Sequence, residues 1–183
     1  MVAPELGLTD PQQPQTSVTT ARQTALAERR PDQQAWSAPD WQRLWLTLDR
    51  MAWRTLALVP AGEGAAADFS LTVAVTLSRT GMSHVGAPIL VADGTQVPLN
   101  QLNAFLDDVR HCRDGGERVI VALSPLGENP TTIAMAKAAD AVVLCVLLER
   151  MRSSDGHKTI KAIGANKFVG SVIIRPGDVG PVK

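Results

Sequence analysis

The sequence predicts an α/β fold: a doubly wound, mainly parallel sheet with helices on both faces. Three observations carry this. Several strands are unbroken Val/Ile/Leu runs, such as Ala141-Val-Val-Leu-Cys-Val-Leu-Leu148, as expected of a sheet buried on both sides. Helical periodicity separates those runs, which is the alternation of a parallel sheet. A glycine-containing turn, Gly62-Glu-Gly64, joins the first strand to the helix after it.

The elements follow in order. Residues 1–35 are rich in Pro, Gln, Thr and Ala and poor in large apolar side chains. Such a segment buries too little surface to offset its ordering entropy, so a disordered N-terminal tail is expected. Residues 38–53 are amphipathic, with Trp41, Leu44, Trp45, Leu48 and Met51 at helical spacing and Ser37 or Asp40 placed to cap. Two readings of this stripe stand. It packs on the domain, as helix stripes usually do, or its Trp and Arg side chains form a protein contact.

A strand over 54–59 and a helix over 65–80 follow, then a turn from Gly81 to Gly86. A second strand covers 88–92, and a helix runs from Asn100 to His111. Arg118 to Leu123 is the third strand, and Pro130 opens a short helix to Ala139. A fourth strand, 141–148, a helix over 157–164 and a last strand over 167–174 complete the domain, taken as 36–175, with 176–183 as a C-terminal tail.

Composition narrows the function. The 183 residues carry 18 basic and 18 acidic side chains. No global field therefore favours nucleic acid. Cys112 and Cys145 fit neither a disulfide framework nor a metal-site spacing, and no metal site is expected. No apolar run reaches the ~18 residues of a membrane span, and no signal segment opens the chain, so the expected location is cytoplasmic. His84, His111 and His157 are scattered without a paired nucleophile. Arg150, Arg152, Lys158 and Lys161 read as a solvated rim, or as a site for an acidic partner.

The loop after the first strand is the most informative feature. A working phosphate-binding loop places Lys, then Ser or Thr, directly after its last glycine; the Lys reaches the β- and γ-phosphates and the hydroxyl holds Mg²⁺. Here Gly62, Glu63 and Gly64 are followed by Ala65 and Ala66. Ser70 and Thr72 lie too far along the helix to substitute. Glu63 would repel an anion, and Asp68 adds to that if it faces the loop.

The element order resembles the MinD/ParA-type P-loop ATPases, and within them the cytoplasmic domain of the bacterial tyrosine kinases (BY-kinases) of exopolysaccharide and capsule export. Asp40-Trp-Gln-Arg-Leu-Trp-Leu46 is similar in place to that family's Glu-x-x-Arg-x-x-Arg assembly helix, which points to Asp40, Trp41, Arg43 and Trp45 as oligomerisation residues. Asp93 and Pro98 match part of the motif after the second strand. Ala122 stands where the family has the Walker B carboxylate, Ala139-Asp140 matches an Ala-Asp pair before the next strand, and Gly170 to Ile174 matches the closing strand.

The resemblance implies a degenerate member. The loop Lys, the metal-binding hydroxyl and the Walker B acid are all replaced, and the chain has no tyrosine to autophosphorylate. Each lost electrostatic stabiliser costs about 10²- to 10³-fold in rate, so no enzyme activity is expected. The implied function is that of a pseudokinase scaffold or regulator in polysaccharide export. Its implied partners are a membrane-bound co-polymerase or chain-length regulator, an active kinase, or other copies of itself. Such a partner would recruit the chain to the inner membrane. No cofactor is implied, although backbone amides alone leave room for weak ATP or ADP binding. The alternative is a MinD/ParA-type positioning protein with residual nucleotide binding. Asp93 reads either as a crevice acid or as a turn former.

Overall fold

The computed structural model describes residues 38–62, 68–148 and 150–175. The tails expected at 1–35 and 176–183, and the loop residues Glu63, Gly64, Ala65 and Ala66, lie outside the described residues. The element order is α1 (Pro39–Asp49), β1 (Thr55–Pro60), α2 (Phe69–Val85), β2 (Ile89–Asp93), α3 (Leu102–Asp114), β3 (Arg118–Ala122), α4 (Thr131–Ala138), β4 (Ala141–Leu147), α5 (Ser153–Ile163) and β5 (Phe168–Ile174). Short 3₁₀ turns precede α3 and β5.

The five strands form one sheet in the order β2-β3-β1-β4-β5, and every pairing is parallel. The fold class is therefore as the sequence predicts. Period-two alternation divides the central strand between two cores. Leu56 and Leu58 point to one face, where α1 and α2 cover them with Trp45, Leu48, Phe69, Val73 and Leu77. Ala57 and Val59 point to the other, beneath Val109 of α3, Met135 of α4 and Ile163 of α5. All six residues of β1 are buried.

Three local expectations are corrected. The turn expected from Gly81 to Gly86 is helix as far as Val85, and only Gly86 adopts a left-handed conformation, φ 68°, as the C-cap. Gly81 lies inside the helix, and its site has no room for a side chain: a Cβ there would stand 2.5 Å from the Trp45 ring. At the start of α1 Asp40 does not cap, and Ser37 lies outside the described residues. The N-cap is Ala38, followed by Pro39 at a first-turn position where the missing N–H costs nothing, and Asp40 lies inside that turn. Finally, α5 begins at Ser153, four residues before His157, and Gly156 in its first turn is buried, where a Cβ would lie 3.6 Å from Leu144 and 3.9 Å from Ala61.

The Trp stripe on α1 is split. Trp45 is 0% exposed and meets Trp53 edge-on, with ring centroids 5.9 Å apart and planes at 82°. Trp53 Nε1 donates to Leu48 O at 2.9 Å. The Arg118 guanidinium lies 5.1 Å from the Trp53 ring centroid and 5.8 Å from that of Trp45, and pairs with Asp49. A buried aromatic pair capped by a cation is a packing feature of this core.

Candidate functional site

Ligands of open α/β sheets bind outside the carboxyl ends of the strands, where the strand order reverses. Here that edge is formed by the ends of β1, β2, β3 and β4. β1 runs to Pro60, and Ala61 continues it by donating its N–H to Cys145 O at 2.8 Å. Gly62 follows. A Cβ on Gly62 would lie 2.8 Å from the Asp155 Cβ at the start of α5. Close approach of α5 therefore demands a glycine at 62 on its own account. Thr159 Oγ1 adds a hydrogen bond to Ala61 O at 3.1 Å. This contact between α5 and the loop was not visible in the sequence, because 93 positions separate Gly62 from Asp155.

Ala122 ends β3 at 0% exposure, in the same core cluster as Leu58 and Phe69. Its neighbour Leu123 is equally buried, and Leu123 O accepts from Ser70 Oγ at 2.7 Å. The first turn of α2 is thus tied directly to the end of β3. A carboxylate in place of Ala122 would enter a buried, apolar environment.

Asp93 ends β2 and is exposed. Its Oδ1 accepts from Thr95 N at 3.0 Å and from Thr95 Oγ1 at 2.6 Å. That is a turn-forming use of the side chain, and of the two roles open to Asp93 the geometry supports this one. Gly94 N donates to Ala122 O at 2.8 Å, and a Cβ there would meet Leu123 at 2.8 Å.

The loops after β2 and β3 are bound to each other. Ser124 Oγ donates to Thr95 O. Asn129 Nδ2 reaches Thr95 O at 3.3 Å and Val97 O at 3.1 Å. The Thr131 hydroxyl lies 2.9 Å from Val97 O and 2.7 Å from Asn129 Oδ1, and Thr132 Oγ1 donates to Ser124 O at 3.1 Å. These polar groups satisfy one another rather than pointing into a crevice. Sequence reasoning passed over Asn129. The Asn-Pro-Thr-Thr run at 129–132 was its only signal, as a turn leading into a helix.

The remaining candidates do not converge. His84, His111 and His157 sit exposed on α2, α3 and α5 respectively, and His157 Nδ1 contacts Ser153 O at 2.9 Å within its own helix. Among the described residues, no three His, Cys, Asp or Glu side chains form a group able to hold a metal ion. A cleft at the opposite, amino end of β1, between α3 and α4, is lined by Thr55, Phe105, Val109, Arg113 and Met135 and holds about 20 Å³. That is room for about one water molecule.

Of the four residues expected to drive oligomerisation, Asp40 and Arg43 are exposed and pair with each other at 3.4 Å. Trp41 is half-buried against the core. Trp45 is sealed inside it, and its place in an assembly surface is withdrawn for that reason.

Among solved structures, the BceF tyrosine kinase domain matches this chain with a TM-score of 0.53. The match covers 84% of this chain and 85% of that one, at 15% sequence identity. The two share a fold. At that identity the likeness is one of architecture alone. A scan against family models and a search of curated proteins find no match. Among the described residues, no helix is long and apolar enough to cross a membrane.

Proposed function

We propose that the chain is a catalytically inactive, BY-kinase-like domain. It acts as a scaffold or regulator in exopolysaccharide or capsule synthesis and export, through protein contacts rather than chemistry. Its partners on this reading are the cytoplasmic part of a membrane-bound co-polymerase or chain-length regulator, or an active kinase. The chain itself stays cytoplasmic and is recruited to the membrane by that partner.

The observation that carries the proposal is Ala122. It occupies the position at the end of β3 where the resembling kinases have a metal-holding carboxylate, and it is 0% exposed in an apolar cluster. The sequence agrees, with Ala65 and Ala66 in the places of the phosphate-binding Lys and the Mg²⁺-binding hydroxyl. Phosphoryl transfer depends on positioned cations and a metal, and the residues supplying them are gone at all three positions.

The test is thermal unfolding with and without millimolar Mg-ATP or Mg-ADP, together with an ATPase assay. A ligand at 100 times its dissociation constant stabilises by about 2.7 kcal/mol. The expected result is no shift and no turnover. A clear shift would favour a nucleotide-controlled positioning protein, and a mutation-sensitive ATPase rate would overturn the proposal.

A further inference from the structure

We draw no further inference here: the strongest candidate, the outer edge of β5 with its exposed Ile173, is an unpartnered strand edge among the described residues, and nothing in the structure shows what covers it.

Discussion

The Trp45 indole lies directly over Gly81, and a Cβ at that position would stand 2.5 Å from the Trp45 Cη2 and Cζ3 atoms. Helices α1 and α2 therefore meet through an aromatic ring seated on a glycine. Ile89 of β2 closes the same space from the other side.

Replacing Gly81 by Ala tests this contact. Glycine in a helix interior costs about 1 kcal/mol relative to alanine, so propensity alone favours the substitution. Overpacking a fixed core costs typically about 1–3 kcal/mol, and the fully buried Trp45 ring has no solvent side to retreat into. Gly81→Ala should therefore lose up to about 2 kcal/mol net, read as a lower urea midpoint with an unchanged slope. A stabilised variant would show that the ring yields.

Asp140 holds the start of β1. Its Oδ2 accepts from Arg54 N at 2.9 Å and from Thr55 N at 2.8 Å. Thr55 is buried, so removing the acceptor strands a buried donor. Asp140→Ala should cost about 1–3 kcal/mol. Asp140→Asn keeps an oxygen acceptor and should cost less. Chemical denaturation of the two variants side by side separates the hydrogen bond from the loss of charge, and equal stabilities for wild type and Asp140→Ala would refute the role.

Ala122→Asp asks whether the end of β3 tolerates a carboxylate. An unpaired carboxylate at a fully buried position carries a penalty of several kcal/mol. The expected outcome is a large drop in thermal midpoint or insoluble protein. Tolerance of the substitution at full stability would mean that water or a cation reaches this position.

Cys145 predicts an alkaline limit to stability. Burial pushes its thiol from 9.0 up to about 12. Between those values the unfolded chain has lost the proton while the folded chain keeps it. Stability is thus fully present below about pH 9 and falls as pH rises toward 12, by at most about 1.4 kcal/mol per pH unit for a single group. Denaturant titrations across that window should show the decline, and Cys145→Ala should flatten it. The folded protein should also react with a thiol reagent at one cysteine. That cysteine is Cys112, half-buried in α3, where burial first, then Glu117 and Asp108, raise its thiol and slow the reaction.

Much of the architecture was readable along the chain, because strands and helices repeat their apolar residues at periods of two and 3.6, and a parallel sheet covered on both sides needs continuous apolar strands. Local punctuation was less reliable. Gly81 looked like a turn residue, since nothing nearby in sequence shows that a tryptophan 36 positions earlier occupies its side-chain space. Asp93 left a choice between turn and crevice, and its two hydrogen bonds from Thr95 are visible only in the structure.

By itself, then, the sequence determined the α/β class, the order of the elements and the presence of alanine at 65, 66 and 122, because these depend on residue type and short-range period. Tertiary structure alone decided that Trp45 is core, that Gly62 serves the approach of Asp155, that Asp140 pins β1 and that β5 lies at the edge of the sheet among the described residues. Each of those depends on which distant segments meet, and contacts across tens of residues are settled by packing and chain crossing rather than by local pattern.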